Sequence, residues 1–526
     1  MLGFLHFVNQ TIDDAFISFR YARNLASGRG LVFNVGERVE GFSNFSWTVL
    51  LALPAWLGLD RFELGLLITA KILGALFGVA TVVLVSRTAA AGRPESEVRS
   101  APFAALYVAT LAPFTFWCMG GLETSLVALL LALSVHLHLA EDRALSAARG
   151  AWPWSYVALL LAALTRPEPL VLFAPLLALR VGRSVGFSPG RRALLRELRY
   201  SLLFVLPYAA FIAFRFAYYG QLVPNTYFAK VYLDGTTLER GQQYLEGVAK
   251  LLNWPILAAF CLVFLPLCRR MSYRTLLALA LTTTYLVEVW YEGGDVMPMY
   301  RLIVPCLPIV ALLVHELWLG FGMLSVELLA PRRTLPEWVI RGDWLKRWQR
   351  AVRALDDRAW AAPVARWTRR GLRAALLLVL AVGSSRSLEP TRGWIESGFS
   401  GLHLDRSKYF SIARWMDGEI RDRGLLAIGE AGIIPYYVDL PVLDMNALMD
   451  THLSHLKGTI HRKFDVEYVL ARRPKYVFLL VDRDADGALS SHHWYAKLLL
   501  AEPRFQAQYR PLRDFGTEIL YVRVPE

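Results

Sequence analysis

The chain has 526 residues, of which 55% are hydrophobic and only 19% are charged, and its mean hydropathy is +0.37. This composition excludes an ordinary soluble enzyme and predicts a protein whose surface mostly contacts a lipid bilayer. The formal net charge of +13 comes largely from arginines in short loops between apolar runs, a pattern that orients membrane proteins and argues against nucleic acid as a partner.

The chain begins with a segment that is too short to cross a membrane. Residues 1–11 are predicted to form neither a transmembrane helix nor a signal peptide, so we expect a first helix to have been lost or the start to be assigned late. The first outer loop, residues 11–62, follows. Its apolar stretch 44–59 is short and contains proline, which favours an interfacial or re-entrant helix.

Eight apolar stretches approach the roughly 20 residues that are needed to cross a bilayer. They are residues 64–86, 101–117, 122–140, 199–218, 254–268, 275–290, 302–321 and 372–384. A further stretch, 154–179, is interrupted by Arg166-Pro167-Glu168-Pro169. Because proline removes a backbone hydrogen bond and charges are costly in lipid, we predict two short helices there that enter and return. We expect a helical membrane domain of roughly ten spans.

Basic residues in the connections predict the orientation of these helices. By the positive-inside rule, the loops around residues 87–99, 143–149, 180–199, 269–274 and the long segment 331–371 are cytoplasmic. The same assignment places residues 13–44, 119–123, 218–253 and 291–301 together on the outer face. It also leaves the polar C-terminal part outside.

This C-terminal part, residues 388–526, differs in character from the helical domain of residues 1–387. Residues 427–429, 441–444 and 476–481 have the composition of short buried strands, and they alternate with helical stretches such as 408–422. We therefore predict a polytopic α-helical membrane protein with a C-terminal extracytoplasmic α/β domain.

Two adjacent acids open the first outer loop. Asp13 and Asp14 are followed by Arg20 and Arg23, which share one face if this stretch is helical. Paired carboxylates near arginines at a membrane surface supply a general base beside an anion-binding group. The alternative is a helix N-terminus capped by aspartate with a surface ion pair.

The first outer loop and several later stretches resemble the bacterial GT-C glycosyltransferases, in particular the mycobacterial terminal arabinofuranosyltransferase family. The matching stretches follow the same order over nearly the whole chain: Asp13-Asp14-Ala15-Phe16, Gly41-Phe42-Ser43-Asn44-Phe45, Gly120-Gly121-Leu122-Glu123, Thr165-Arg166-Pro167-Glu168, Pro224-Asn225-Thr226-Tyr227, Gly293-Gly294-Asp295 and Ile428-Gly429-Glu430-Ala431-Gly432. The sequence departs from the family in two places, since no span precedes the paired acids and Val296 stands where a polar residue is expected.

The resemblance implies transfer of a sugar from a polyprenyl phosphate to an acceptor hydroxyl, with inversion. It implies Asp14 or Asp13 as the catalytic base and a cation, chosen from Arg301, Lys230 and Arg20, for the donor phosphate. Outer-loop residues that bind sugar or order the site would be Glu123, Asn225 and Asp295. Their structural alternatives are a helix cap for Glu123, a turn at Pro224 for Asn225 and a loop bend for Asp295.

Metal binding has weaker support in the sequence. The four cysteines have no metal-ligand spacing, and His452 and His455 lack accompanying acids, so His452 is instead a candidate to line the acceptor groove. No cofactor is required by the pattern. Asp13, Asp14 and Asp295 have the carboxylates that Mg²⁺ or Ca²⁺ would use, but arginine can also assist departure of a monophosphate.

The leading hypothesis is a glycosyltransferase in the bacterial cytoplasmic membrane that moves a pentose, such as arabinofuranose, or a hexose to an envelope glycan, glycolipid or protein. Its partners would be a polyprenyl-phosphate sugar and the bilayer. Two other hypotheses stay open. One is a transporter or flippase of lipid-linked sugars, and the other is a non-catalytic envelope scaffold whose C-terminal domain binds glycan.

Overall fold

The structure is a computed structural model of the 526-residue chain. It describes residues 7–147, 149–187, 190–230, 235–252, 272–329, 361–386, 408–458, 462–484 and 488–525. A helical part precedes an α/β domain, which we call the tail and which begins in the described residues at Lys408. The predicted span 254–268, most of the segment 331–371 and the predicted boundary at residue 388 lie outside the described residues.

The helical part consists of helices of very different lengths. In chain order the helices of four or more residues are Ala15–Ala26, Phe45–Trp56, Gly65–Ala90, Glu95–Val98, Ala101–Thr110, Ala112–Met119, Thr124–Ser146, Trp154–Thr165, Phe173–Phe187, Arg191–Tyr219, Asn225–Lys230, Gly235–Leu251, Tyr273–Glu292, Leu307–Leu329 and Ala361–Arg386, with 3₁₀ turns at Leu59–Arg61, Glu168–Leu172 and Pro298–Cys306. Five described helical stretches are long and apolar enough to cross a membrane, or six if one bent pair is counted. The described residues thus account for about half of the predicted spans.

The bent pair corrects the predicted span 101–117. The chain there forms Ala101–Thr110 and Ala112–Met119, which meet at an angle of 65°. Pro113 lies in the first turn of the second helix, where its missing N–H and its restriction on the preceding residue favour a break.

The predicted break at residues 166–169 is present. The helix Trp154–Thr165 ends at Arg166, whose backbone is extended, and a 3₁₀ turn at Glu168–Leu172 leads into Phe173–Phe187. The second half is longer than predicted, because Glu168–Gly186 is a candidate span of 19 residues. Only the first half remains a short helix.

The arginine-rich loops meet at one end of the helical part. Arg93 pairs with Glu316, and the Arg274 guanidinium donates to the backbone carbonyls of Thr88 and Ala91. The helix Gly65–Ala90 runs from this end to the opposite one, where the Lys71 ammonium donates to the Met119 carbonyl at 2.8 Å. The described parts of the predicted loops 87–99 and 269–274 therefore lie at one end of the helical part. We call the two ends the arginine-rich end and the tail end.

The tail contains the predicted α/β fold. Its strands are β1 (Leu426–Ile428), β2 (Val442–Asp444), β3 (Tyr476–Leu480), β4 (Asp482–Arg483), β5 (Leu489–Ser490), β6 (Tyr509–Asp514) and β7 (Glu518–Arg523). One sheet has the order β2-β1-β3-β7-β6, in which β1 is parallel to β2 and β3, and β7 is antiparallel to β3 and β6. Helices cover it at Lys408–Glu419, Ile433–Val438, Thr451–Ser454, Val466–Ala471, Trp494–Ala501 and Pro503–Gln508.

Candidate active site

Asp13 joins the first outer loop to the tail. Its carboxylate accepts hydrogen bonds from the backbone amides of Gly432 and Ile433, at 3.0 and 2.8 Å. Burial, with a further contribution from the charge of Asp14, raises the pKa of Asp13 to about 7, although the two amide bonds oppose this shift. An acid whose two oxygens are held in this way is placed to fix the loop rather than to receive a proton from substrate.

Arg20 has the same kind of role, which differs from the predicted phosphate binding. Its guanidinium donates to the backbone carbonyls of Phe33, Pro435 and Leu440, and 3% of the residue is exposed. Arg20 therefore clamps the helix Ala15–Ala26 to the tail. It lines none of the described cavities discussed below, and its donors are already used.

Asp14 contrasts with its neighbour. Its carboxylate makes no hydrogen bond or ion pair with any described residue, and it lines a small polar cavity at the tail end. Lys230, Arg301 and Glu123 line the same cavity, and Leu448 of the tail contributes to its wall. Residues from four separated parts of the helical domain therefore meet there, as the predicted orientation requires.

Lys230 and Arg301 are the two predicted cations that reach this cavity. Lys230 ends the short helix Asn225–Lys230, and its ammonium has no hydrogen-bond or ion-pair partner in the described part of the chain. Burial lowers the pKa of Lys230, and so does the charge of Arg301, whereas Asp14 and Asp295 oppose the shift. A half-buried ammonium beside a carboxylate without a partner is suited to bind an anion that arrives with the substrate.

Arg301 is held on one side only. Its Nε donates to the Asp295 carboxylate at 3.0 Å, and its two terminal nitrogens have no hydrogen-bond partner among the described residues. Asp295 also accepts from the Met297 amide, so it fixes the loop and orients the guanidinium. The structure thus assigns Asp295 to positioning Arg301 rather than to a simple bend.

Glu123 belongs to a buried network. Its carboxylate accepts from Asn44 at 2.8 Å and from Arg166 at 2.7 Å, and Arg166 also donates to Glu168. Glu123 precedes the helix Thr124–Ser146 without a side-chain capping bond, so the cap alternative is wrong. Because both partners are charged or polar and buried, the network gives the cavity a rigid wall.

Asn225 and His452 lie away from the free charges. The Asn225 amide donates to the carbonyls of Ala447 and Leu448, so this residue joins the outer loop to the tail instead of shaping a turn at Pro224. His452 bonds to Asp465 at 3.0 Å and stacks on Tyr468, and it lines none of the described cavities at the site. The structure therefore does not bring either side chain to Asp14.

A second, larger cavity adjoins the polar one. It has a volume of about 710 Å³ and shares Arg166, Lys230 and Arg301 with its neighbour. Its other lining residues are mainly apolar and aromatic, including Tyr208 and Tyr244. At its rim lie Leu222, Tyr227 and Val296, which are 59%, 40% and 64% exposed. Its wall also includes the charged residues Glu168, Arg215, Arg240, Glu288 and Glu292, so a largely apolar cavity with several charges adjoins the polar one.

The three acids that the sequence offered for a divalent cation do not converge. Asp13 is bound to tail amides and Asp295 to Arg301, which leaves Asp14 alone among cations. The described residues contain no group of three or more histidine, cysteine, aspartate or glutamate side chains with ligand geometry. These residues do not fit a carboxylate site for Mg²⁺ or Ca²⁺.

Two residues that support the site were not singled out from the sequence. Asn44 holds Glu123, and it lies within a stretch that carried the family resemblance. The Lys71 ammonium donates to the backbone carbonyls of Val8, Gln10 and Met119, next to both loops of the site. A single lysine in an apolar helix was a signal for such a role, because a charge there needs partners.

The apolar helices, the broken spans and the α/β tail describe a multi-pass membrane protein. The same fold occurs in ArnT from Cupriavidus metallidurans. The structure of ArnT bound to undecaprenyl phosphate matches with a TM-score of 0.56 and 14% identity, covering 100% of this chain and 96% of that chain. Its apo structure matches with a TM-score of 0.53 and 14% identity, covering 99% and 96%.

Sequence comparison gives two further matches. Over 228 residues the chain is 32% identical to the terminal beta-(1->2)-arabinofuranosyltransferase of Mycobacterium tuberculosis, which covers 41% of this chain and 34% of that protein. The chain thus matches about a third of the length of this curated relative. Residues 401–524 match a family described as a domain of unknown function (DUF8728).

Proposed function

We propose that this chain is a glycosyltransferase that takes a sugar from a polyprenyl-phosphate donor and transfers it to a hydroxyl of an envelope glycan, glycolipid or protein. The observation that carries the proposal is the free Asp14 carboxylate beside Lys230 and Arg301, two cations with unused donors. The name of the mycobacterial relative and the undecaprenyl phosphate bound by ArnT support this choice of reaction and donor.

Asp14 acts as the general base in this proposal. The acceptor oxygen forms a bond to the anomeric carbon while the bond between that carbon and the phosphate oxygen breaks. The electron pair of the broken bond leaves with the polyprenyl phosphate, and the hydroxyl proton passes to Asp14. Inversion at the anomeric carbon follows from a single displacement of this kind.

Lys230 and Arg301 bind the phosphate and stabilise the charge that it gains on departure. The 710 Å³ cavity holds the first part of the prenyl chain, because it ends at these cations and is otherwise lined mainly by apolar and aromatic residues. Asp295 and the Glu123 network keep the cations and the cavity wall in place. No step requires a metal ligand set that the described residues do not provide.

The site faces the outside of the bacterial cytoplasmic membrane in this proposal. The arginine-rich end carries the loops that the positive-inside rule places in the cytoplasm, and the free charges and the tail lie at the opposite end. The donor then enters sideways from the outer leaflet.

A transfer assay tests the proposed function. The purified chain is reconstituted in liposomes with radiolabelled polyprenyl-phosphate arabinofuranose and octyl arabinofuranoside, and the same donor with a labelled hexose is run in parallel. Formation of a labelled disaccharide supports the proposal. Movement of the labelled lipid between leaflets without product would indicate a transporter, and neither change would indicate a non-catalytic protein.

A further inference from the structure

A third cavity also adjoins Asp14. It has a volume of about 160 Å³, and besides Asp13 and Asp14 it is lined by Gln10, Thr11, Ile12, Phe116, Val296, Met297 and Pro298. Asp14 is the one residue that lines both this cavity and the polar cavity with Lys230 and Arg301. The base is therefore accessible from two cavities of different character.

The lining of this third cavity does not suit a phosphate. It includes no lysine or arginine, and its only charged side chains are the two acids. The larger part of its wall is apolar, as expected for a surface that packs against the carbon face of a sugar ring. A volume several times the roughly 30 Å³ of a water molecule gives room for one ring rather than for a chain.

Two polar side chains in this wall have unused hydrogen-bonding capacity. Thr11 is 4% exposed, and its hydroxyl has no hydrogen-bond partner. The Gln10 side-chain amide also makes no hydrogen bond with a described residue, while its backbone carbonyl is held by Lys71. A buried polar group without a partner is uncommon in a folded protein, and a ligand that bonds to the Thr11 hydroxyl accounts for it.

We infer that this cavity is the acceptor subsite and that it takes the terminal ring of a neutral, hydroxyl-bearing sugar. The inference rests on the proposed function. In a single displacement with inversion, the attacking oxygen and the leaving phosphate lie on opposite sides of the anomeric carbon. Since Lys230 and Arg301 mark the phosphate side, the acceptor hydroxyl belongs in the cavity that shares Asp14 but contains neither cation, where Thr11 and Gln10 orient it. An anionic sugar is disfavoured because two carboxylates face it.

Val296 sets the rim of the subsite. It is 64% exposed, so a larger side chain there is accommodated without disturbing the core. This is the position at which the family resemblance led us to expect a polar residue. An apolar rim favours an acceptor that presents a ring carbon face rather than a charged substituent at the entrance.

Three variants test the subsite, with octyl arabinofuranoside as the neutral probe and octyl glucuronide as the anionic one. Thr11→Val and Gln10→Leu should each raise the KM for the neutral probe roughly tenfold, because each removes one hydrogen bond to substrate. Val296→Trp should block the entrance and lower transfer at least tenfold. Thr11→Val and Gln10→Leu should keep the Kd of the wild type for undecaprenyl phosphate, because neither residue lines the 710 Å³ cavity, and the anionic probe should be transferred at least tenfold less efficiently.

Thr124→Val is the matched control, because it removes another buried hydroxyl without a partner that lines none of the described cavities. It should leave both constants unchanged. An unchanged acceptor KM in Thr11→Val and Gln10→Leu, with normal transfer by Val296→Trp, would overturn the subsite while leaving the proposed function intact. A wild-type protein that transfers no sugar would overturn the proposed function and the subsite with it.

Discussion

At the arginine-rich end of the helical part, Arg180 donates to both Glu141 and Glu197, and Glu141 also accepts from the amide and hydroxyl of Ser155. At the tail end, Asp14 and Lys230 line one cavity, and neither has a hydrogen-bond or ion-pair partner among the described residues. Both ends contain buried or half-buried charges. Among the described residues, the three nitrogens of Arg180 all have partners, whereas Asp14 and Lys230 have none.

This difference distinguishes charged residues that stabilise the fold, such as Arg180, from charged residues that are available to bind a ligand, such as Lys230. A buried ion pair with every oxygen satisfied contributes to the arrangement of helices, and removing one member leaves an uncompensated charge. A carboxylate and cations with unused hydrogen-bonding groups cost free energy unless a bound substrate supplies their partners. Such groups therefore mark the end of the protein that holds the candidate active site. The predictions below test this separation, from the largest expected effect to the smallest.

Replacing Asp14 should have the largest effect. Asp14→Asn should lower the transfer rate by about 10²- to 10⁴-fold, because the amide cannot accept the hydroxyl proton. The thermal midpoint in detergent should stay within a degree or two of the wild type, since the carboxylate has no partner to lose. Full activity in the variant would show that another group is the base.

Removing Arg180 should affect stability instead. Arg180→Met leaves Glu141 and Glu197 buried without their cation, so the free energy of unfolding in detergent should fall by about 3–5 kcal/mol. Activity per folded molecule should stay close to that of the wild type. The double variant Arg180→Met with Glu197→Gln should regain part of the loss, and a transfer defect in folded Arg180→Met would place this end in the catalytic machinery.

Loss of Lys230 or Arg301, the two cations that line the polar cavity, should weaken binding of the donor phosphate. Arg301→Gln and Lys230→Met should each lower kcat/KM for the donor by roughly 10²-fold, because each removes a charged donor to the departing phosphate. Titration of undecaprenyl phosphate should show weaker binding. Lys250→Gln, at an exposed lysine that pairs with Glu246, is the control and should behave as the wild type.

The sequence defined much of this arrangement but not the partners of its charges. The strand composition of residues 427–429 and 441–444 and the prolines at 167 and 169 act locally, so β1, β2 and the helix break could be predicted. The pairing of Asp13 with amides 419 residues away could not, because no local pattern specifies it. Asp13 and Asp14 therefore cannot be distinguished in the sequence, although their carboxylates have different surroundings in the structure.

Asp13 should produce the smallest of the four effects, seen in the pH dependence of stability. Its pKa is about 7 in the folded protein and 3.8 when unperturbed, so the folded state binds the proton more tightly. This contribution to stability is present at low pH and is lost as the pH rises toward 7. Burial and the charge of Asp13 also raise the pKa of Glu430 to about 8, which adds to the same trend.

Thermal midpoints measured between pH 5 and pH 8 test this prediction. The Asp13→Asn variant should lose less stability over this range than the wild type, while keeping more transfer activity than Asp14→Asn. Asp422→Asn, at an exposed acid of the tail, is the control and should keep the slope of the wild type. If the thermal midpoint changed with pH equally in Asp13→Asn and in the wild type, the assignment of Asp13 to the interface between the first outer loop and the tail would be contradicted.

The account depends most on the position of the donor phosphate relative to Asp14. An experimental structure of the wild-type chain with undecaprenyl phosphate measures this position directly. The account predicts a phosphate within hydrogen-bond distance of Lys230 Nζ and the terminal nitrogens of Arg301, with the prenyl chain in the 710 Å³ cavity and Asp14 facing the phosphate. A phosphate bound at the arginine-rich end, near Arg93 and Arg274, would contradict it.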